Sequence, residues 1–173
     1  YNTVVNKYKK AITERQLLLK DLQYDETWIQ NIENNIVEYG SIIYKNREEH
    51  IKVLNKILKT INTSKHFSKD FVLKIQDNFY ETNKEIYDNK DIYGSQLHFN
   101  RKKDSFQGGC SIGPHRSDIL GLNELNNFNL NQLSTGQQKT VVLLIILAQS
   151  EYLINELSLH PIILLDEICS HLD

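Results

Sequence analysis

The N-terminal third of the chain places apolar side chains at intervals of three and four residues, the spacing of an amphipathic helix. The first helix predicted in this way carries its apolar face at Tyr1, Val4, Val5, Tyr8 and Ile12. A second run of the same spacing begins at Trp28 and continues to Ile61, which predicts a helix of roughly 30 residues. The segment KDLQYDET between them supplies loop and capping residues. We expect the two helices to pack as an antiparallel hairpin.

This predicted hairpin has two interpretations. It is either a bundle segment that packs on its own domain or an arm that projects to meet a partner. Gly40 lies inside the second helix, where glycine costs about 1 kcal/mol relative to alanine, and we expect it to mark a bend. We assign residues 1–65 to a helical arm and residues 66–173 to a second domain.

From Phe71 the period changes from that of a helix to that of a strand. FVLKIQ alternates apolar and polar residues, with Phe71, Leu73 and Ile75 expected to face inward. The elements predicted after it are a charged helix over about 81–103, short strands around 110–112 and 117–122, an apolar helix from about Thr135 to Leu157, and a buried strand in PIILLDEI. This mixture of helix and strand predicts part of an α/β domain.

Composition and charge exclude few classes of function. The chain has 173 residues, a net charge of −2 and a pI near 6.3, so no overall basic field indicates nucleic-acid binding. Cys110 and Cys169 are too few and too distant for a disulfide framework, which favours reduced thiols in the cytoplasm. No signal peptide is recognisable, and the apolar stretch at 141–148 is too short to span a bilayer, so no membrane is expected.

Two further features of the sequence are the absence of Met and the spacing of the histidines. Tyr1 stands where an initiator Met would, and the chain contains no Met, so we expect a fragment of a longer protein. The histidines show no metal-ligand spacing with one another or with the cysteines, so no zinc site is predicted.

The first candidate site lies in IILLDEICSHLD, at residues 162–173. Four large aliphatic residues followed by two acids describe a central parallel strand, and open α/β sheets bind ligands at the carboxyl ends of such strands. Asp166 suits Mg²⁺, which prefers oxygen ligands, and Glu167 suits a residue that orients or deprotonates an attacking water. The alternative is an acidic pair that ends a strand in a solvated loop.

The second candidate site is LSTGQQK, at the start of the apolar helix. Backbone N–H groups in the first turn of a helix have no intrahelical partner and favour an anion, and Gly136 would let a phosphate come close. The alternative is that Ser134 is only a helix cap. A cap does not by itself explain Gly136 followed by Gln137 and Gln138.

Basic residues give weaker signals. Arg116, in GPHRSDI, suits either a phosphate or, more simply, a pair with Asp118. The residues that suit DNA phosphates are the segment NRKK at 100–103 and, near the N-terminus, Lys7, Lys9 and Lys10. Solvated helix faces explain these residues as well.

Taken together, these segments resemble a known family. LSTGQQK, the apolar helix and PIILLDEICSHLD are similar to the signature motif, Walker B strand and D-loop of ABC-type ATPases, with Thr135 where a glycine usually stands. GPHRSDI resembles the Gly-Pro-His-Arg-acidic element of the RecF family of bacterial recombination-repair ATPases, and the hairpin pattern is also similar. The resemblance implies an α/β fold, part of a P-loop ABC-type ATPase head with an α-helical hairpin arm inserted.

The resemblance also implies roles for individual residues. The signature motif would contact the γ-phosphate of ATP bound by the partner subunit through Ser134, Gly136 and Gln137. Asp166 would match the Walker B aspartate that holds Mg²⁺, and Glu167 the catalytic glutamate. The D-loop, at the dimer interface, would contain Ser170 and Asp173.

The function implied by the resemblance is ATP-dependent DNA binding in recombinational repair, replication-gap processing and the SOS response. Such proteins bind gapped or single/double-stranded DNA as an ATP-closed homodimer, hydrolyse ATP slowly, and act with RecO and RecR to load RecA. The chain contains no G-x-x-x-x-G-K-[ST], so we expect it to bind ATP poorly by itself, with the missing loop before Tyr1 in the parent chain.

Two other classes of function stay open. One is the nucleotide-binding subunit of an ABC transporter, although such subunits usually carry only a short helical subdomain before the signature motif. The other is a non-catalytic helical interaction module. A chain with only part of an α/β sheet would expose an apolar edge, so we also expect self-association.

Overall fold

The structure, a computed structural model, describes residues 1–21, 24–61, 71–83, 90–123 and 128–166. Its elements in chain order are α1 (Asn2–Lys20), α2 (Glu26–Ile61), β1 (Phe71–Gln76), α3 (Asn78–Thr82), α4 (Lys90–Gln107), β2 (Asp118–Asn123), a 3-10 turn (Leu130–Gln132) and α5 (Thr135–Leu157). These elements form two compact units. The first contains Tyr1–Glu48 and Gln76–Asp118, and the second contains Glu49–Ile75 and the residues from Ile119 onward.

These units do not follow the division at residue 65 that the sequence suggests, because α2 contributes residues to both of them. The assignment of an arm and an ATPase domain therefore stays a prediction. In the first unit, α1 lies antiparallel to the N-terminal part of α2. Arg47 Nε donates to the Tyr1 hydroxyl at 3.3 Å, and Arg15 Nε donates to Glu33 Oε1 at 2.8 Å. α4 packs along α1, so the two helices do not stand alone.

The first core is built around aromatic rings that approach α2 at Gly40. A Cβ atom at Gly40 would lie 2.8 Å from Tyr93 Cε1 and 3.2 Å from Tyr8 Cε2. The glycine is therefore explained by the close approach of these rings, where the sequence suggested only a bend. The buried residues of this core are Tyr8, Ala11, Ile32, Ile36, Val37, Ile43, Tyr44, Tyr93, Leu97 and Cys110.

A cluster of buried charges joins the three helices of the first unit. Arg15 of α1 lies 2.8 Å from Glu33 of α2 and 2.7 Å from Asp104 of α4. Arg101 of α4 lies 2.7 Å from the same glutamate and also pairs with Glu26. Apart from Glu26, these side chains are buried, where an unpaired charge would be costly. Each one is compensated by a residue of another helix.

The second unit packs the C-terminal part of α2 and α5 against β1, which pairs with β2 in a two-stranded sheet. Its buried residues are Ile51, Leu54, Leu58, Phe71, Leu73, Val141 and Ala148. The Asn55 amide of α2 donates to the Leu73 carbonyl at 2.9 Å and accepts from the Leu73 N–H at 2.8 Å. A side chain thus satisfies backbone groups of β1 as a neighbouring strand would.

Several predicted elements are present and one short strand is not. β1 and α5 have the predicted bounds, and β2 lies within a residue of its predicted position. The strand predicted at 110–112 is wrong, because the Cys110 carbonyl accepts from the side chains of His115 and Arg116 rather than from a strand. The helix predicted over 81–103 is represented by α3 and α4, and residues 84–89 lie outside the described ones.

The buried strand predicted in PIILLDEI is also wrong. Residues 158–166 form no strand, and Ile162 and Leu164 are 88% and 90% exposed. A core strand needs neighbouring strands to satisfy its N–H and C=O groups, and within the described ranges no strand pairs with these residues. The described residues thus form a helical fold with a small two-stranded sheet.

α5 is apolar along most of its length. By length and composition alone this helix of 23 residues, which contains an 18-residue stretch with a mean hydropathy of 1.4, is sufficient to cross a membrane. Val141 and Ala148 instead lie in the core of the second unit, and Val142 and Leu147 are exposed. One such helix is weak evidence for a membrane span, because a core helix of a globular protein can have the same length and composition.

Candidate functional site

The N-terminus of α5 is closed by a capping box. The Ser134 hydroxyl accepts from the Gln137 N–H at 3.4 Å, and the Gln137 side chain accepts from the Ser134 N–H at 3.1 Å. Gln138 donates to the carbonyls of Asn131 and Leu133 at 2.8 and 2.9 Å. Both glutamines therefore have structural partners. The S-x-x-Q spacing of a capping box could have revealed the role of Gln137 from the sequence.

The same helix start is open to solvent. Ser134, Thr135 and Gln137 are exposed, and Gly136 is half-buried with no side chain over the first turn. N–H groups of a first turn have no carbonyl partner inside the helix and carry the positive end of its dipole. The arrangement therefore fits an anion that approaches from outside, in addition to the internal cap.

The acidic candidates are only partly described. Asp166 lies in an exposed segment without regular secondary structure, where its carboxylate is accessible to a cation. Glu167, Ser170 and Asp173 lie outside the described residues. Within the described ranges, no group of three or more His, Cys, Asp or Glu side chains could hold a metal ion. Of the acidic pair, the structure therefore describes Asp166 but not Glu167.

Arg116 belongs to the first unit, in a tight loop that the sequence marks as GPHRSDI. Gly113 has φ +123°, and a Cβ there would lie 2.3 Å from the Tyr8 hydroxyl. His115 Nε2 lies 2.9 Å from the Cys110 carbonyl and therefore donates to it, which leaves Nδ1 to accept from Tyr8 at 2.8 Å. Burial, with the nearby Arg116 guanidinium, lowers the pKa of His115 below its usual value.

The Arg116 side chain lines an open groove of about 550 Å³ in the first unit. Its Nε donates to the Cys110 carbonyl at 3.0 Å, which fixes the start of the guanidinium while the residue stays exposed. The polar and charged residues that share the groove are Gln76, Asp77, Asn78, Lys103, Gln107, Ser111 and Asp118. Arg116 therefore lies where a phosphate could reach it.

Asp77 lines the same groove and joins several of its neighbours by hydrogen bonds. It is not among the candidate residues predicted from the sequence. Its Oδ2 accepts from the hydroxyls of Tyr44 and Ser117, each at 2.6 Å. Its Oδ1 caps α3 by accepting from the N–H groups of Phe79 and Tyr80. An aspartate before a helical segment signals a cap, but the long-range hydroxyl partners have no signal in the sequence.

The basic residues proposed for DNA contact separate into two kinds. Arg101 of NRKK is buried against Glu33, so it is not available to a phosphate, which corrects that part of the prediction. Lys102 and Lys103 are exposed on α4. Near the N-terminus, Lys7 lies over the Tyr39 ring, and the exposed Lys9 and Lys10 share α1, where the latter pairs with Glu14 at 3.7 Å.

No family model matches the chain, but individual relatives do. The DNA replication and repair protein RecF of Rickettsia bellii is 32% identical over 173 residues, which cover 98% of this chain and 47% of the relative. RecF of Clostridium perfringens is 33% identical over 179 residues, which cover all of this chain and 46% of the relative. The chain is therefore similar to RecF proteins along its whole length. It spans about half the length of the curated relatives it matches.

Solved structures show the same relationship at the level of the fold. A structure of the recombination mediator protein RecF-ATP in the RecFOR pathway matches with a TM-score of 0.78 at 24% identity. The corresponding RecF-ATPrS structure matches with a TM-score of 0.79. Each match covers the whole of this chain and 47% of the solved one. The RecF resemblance and the fold class predicted from the sequence are thereby confirmed.

Proposed function

We propose that this chain acts as part of an ATP-dependent DNA-binding protein of recombinational repair and replication-gap processing. The match to RecF replication and repair proteins along the whole chain carries this proposal. The proposed substrate is gapped or single/double-stranded DNA, bound by an ATP-closed homodimer in the cytoplasm. The proposed partners are RecO and RecR, and through them RecA, within the response to DNA damage.

In this proposal each subunit completes the ATP site of the other. The exposed start of α5 meets the γ-phosphate of the partner's ATP through Ser134, Gly136 and Gln137. Asp166 holds Mg²⁺, which its exposed carboxylate fits, and Glu167 positions the attacking water. Ser170 and Asp173 contribute to the dimer interface. Hydrolysis is slow and belongs to the full-length protein, because this chain contains no G-x-x-x-x-G-K-[ST].

The two other classes of function are separated by what they require. A transporter subunit would depend on a membrane partner, and the relatives described above are RecF proteins. A non-catalytic interaction module would assemble without regard to nucleotide. The deciding experiment must therefore change the charge that α5 presents to nucleotide without changing the stability of the helix.

Ser134 offers such a change, because Asp and Asn are both good N-caps and differ in charge. In the full-length protein, we expect Ser134→Asn to keep ATP-dependent dimerisation and Ser134→Asp to weaken it at least about tenfold, since a carboxylate repels the γ-phosphate. Analytical ultracentrifugation with and without ATP measures dimerisation, and thermal unfolding checks that both variants are equally stable.

Binding to gapped DNA completes this test. Glu167→Gln should retain ATP and hold the closed dimer on DNA, because the water is no longer positioned for hydrolysis. If Ser134→Asp and Ser134→Asn assemble equally well with ATP, the proposed role of α5 is wrong. If dimerisation and DNA binding of the wild-type protein are also the same with and without ATP, the proposed function is wrong and a non-catalytic interaction module is the better interpretation.

A further inference from the structure

The exposed side of α4 carries aromatic residues where a surface helix usually carries polar ones. Phe99 and Phe106 are 79% and 83% exposed, and Ile92 is 36% exposed. Residues seven positions apart share one side of a helix, so these three form an apolar stripe. The other side of α4 is buried at Tyr93, Leu97, Arg101 and Asp104.

Lysines lie on the same exposed side between the two phenylalanines. With 3.6 residues per turn, Phe99, Lys102, Lys103 and Phe106 fall within an arc of about 100° around α4. Both lysines are exposed, and in the part of the chain that the structure describes no ion pair joins either one to a carboxylate. Aromatic and cationic groups therefore alternate on one accessible face.

This face continues into the groove beside the GPHRSDI loop. Lys103 lines the groove together with Arg116, which supplies a further cation. Ser111 also lines it, and its Oγ is buried without a hydrogen-bond partner among the described residues. The groove also contains two carboxylates, Asp118 and Asp77, and the latter accepts from hydroxyl and N–H donors.

We propose that the exposed side of α4 at 99–106, with the adjoining groove, binds single-stranded nucleic acid. Phe99 and Phe106 stack on bases, while Lys102, Lys103 and Arg116 contact phosphates. A protein helix would be matched by an uninterrupted apolar stripe, whereas alternating rings and cations match a strand with exposed bases and a charged backbone. The inference rests on the proposed function for the class of ligand, which is nucleic acid. It adds the place on the protein where a single strand binds.

The test measures fluorescence anisotropy of a labelled oligo(dT) strand and of a blunt duplex, with the full-length protein and ATP. Phe99→Ala/Phe106→Ala should weaken oligo(dT) binding at least about tenfold, because stacking is lost, and should leave duplex binding nearly unchanged. The matched control is Leu17→Ala on α1, which also truncates an exposed apolar side chain and should change neither affinity.

The salt dependence tests the lysines independently. Lys102→Ala/Lys103→Ala should reduce the slope of log affinity against log salt by roughly 1.4 for the single strand, about 0.7 for each phosphate contact. Lys20→Ala/Lys45→Ala, at two exposed lysines of α1 and α2, is the charge-matched control. An equal reduction in the control would show diffuse attraction and overturn the proposed site.

The outcomes separate this inference from the proposed function. If the wild-type protein binds DNA only with ATP but the Phe99/Phe106 variant binds oligo(dT) normally, the function stands and this surface is wrong. In that case the stripe belongs to a protein partner. If the variant loses oligo(dT) binding but binding never depends on ATP, the surface stands and the proposed function is wrong. Photocrosslinking to 5-iododeoxyuridine should give adducts at Phe99 or Phe106, and adducts only elsewhere would overturn the site.

Discussion

Gly40 lies where two aromatic rings leave no space for a side chain. The rings of Tyr93 and Tyr8 occupy the space in which a Cβ would lie, at 2.8 and 3.2 Å from their nearest ring carbons. Gly94, on α4, has the same residue type in the same kind of element, but a Cβ there would lie 3.9 Å from Val37. The two glycines therefore allow a comparison in which only the packing differs.

We expect Gly40→Ala to destabilise the protein by about 1–3 kcal/mol, because a ring in a packed core must move. Gly94→Ala should instead stabilise it by up to about 1 kcal/mol, through the higher helix propensity of alanine. Urea unfolding followed by circular dichroism measures both free energies. A Gly40→Ala variant as stable as Gly94→Ala would show that the rings of Tyr93 and Tyr8 can move aside without a cost in free energy.

Individual residues were predictable where their partners are local. Ser134 as an N-cap follows from its position before an apolar helix, and the bond with Gln137 follows from the spacing of a capping box. Asp77 was not predictable, because its partners Tyr44 and Ser117 are distant along the chain. The burial of Arg101 within NRKK was missed for the same reason, since Glu33 lies on another helix.

At the scale of elements, the first unit depends on the charged cluster that α1, α2 and α4 share. Glu33 is its centre, since its carboxylate accepts from both Arg15 and Arg101. All three side chains are buried. Removal of the negative charge would leave two guanidinium groups with less compensation in a poorly solvated place, which is more costly than the loss of a surface pair.

Glu33→Gln should lower the free energy of unfolding by about 3–5 kcal/mol, because two buried guanidinium groups each lose one carboxylate partner. Glu14→Gln is the control, since Glu14 pairs with Lys10 at 3.7 Å on the surface of α1 and its loss should cost less than about 1 kcal/mol. Chemical denaturation measures the free energy of unfolding of both variants. Equal costs would mean that the cluster adds nothing beyond a surface pair.

At the scale of the whole molecule, the main feature is the exposed apolar segment at 162–165. Ile162 and Leu164 are almost fully exposed, and within the described ranges no strand pairs with them. A row of aliphatic side chains with unpaired backbone groups is a template for association between chains. The same apolar residues that predicted a buried strand from the sequence therefore form an exposed apolar surface in this structure.

We expect this chain to self-associate in sedimentation velocity experiments, and Ile162→Lys/Leu164→Lys to shift it toward the monomer, because charged side chains oppose strand pairing. Leu17→Lys, at another exposed apolar position, is the control and should leave association unchanged. A wild-type chain that sediments as a monomer at the highest soluble concentration would contradict this expectation.

The sequence by itself determined the elements whose stability comes from local spacing. The helices of the N-terminal third, β1 and α5 follow from apolar periods and capping residues, and the resemblance to RecF follows from short motifs such as GPHRSDI. The tertiary structure decided which charges are buried, which aromatic residues of α4 face solvent, and that residues 161–166 form no strand. Those outcomes depend on groups far apart along the chain, since a strand forms only with a neighbour and a charge is buried only with its partner.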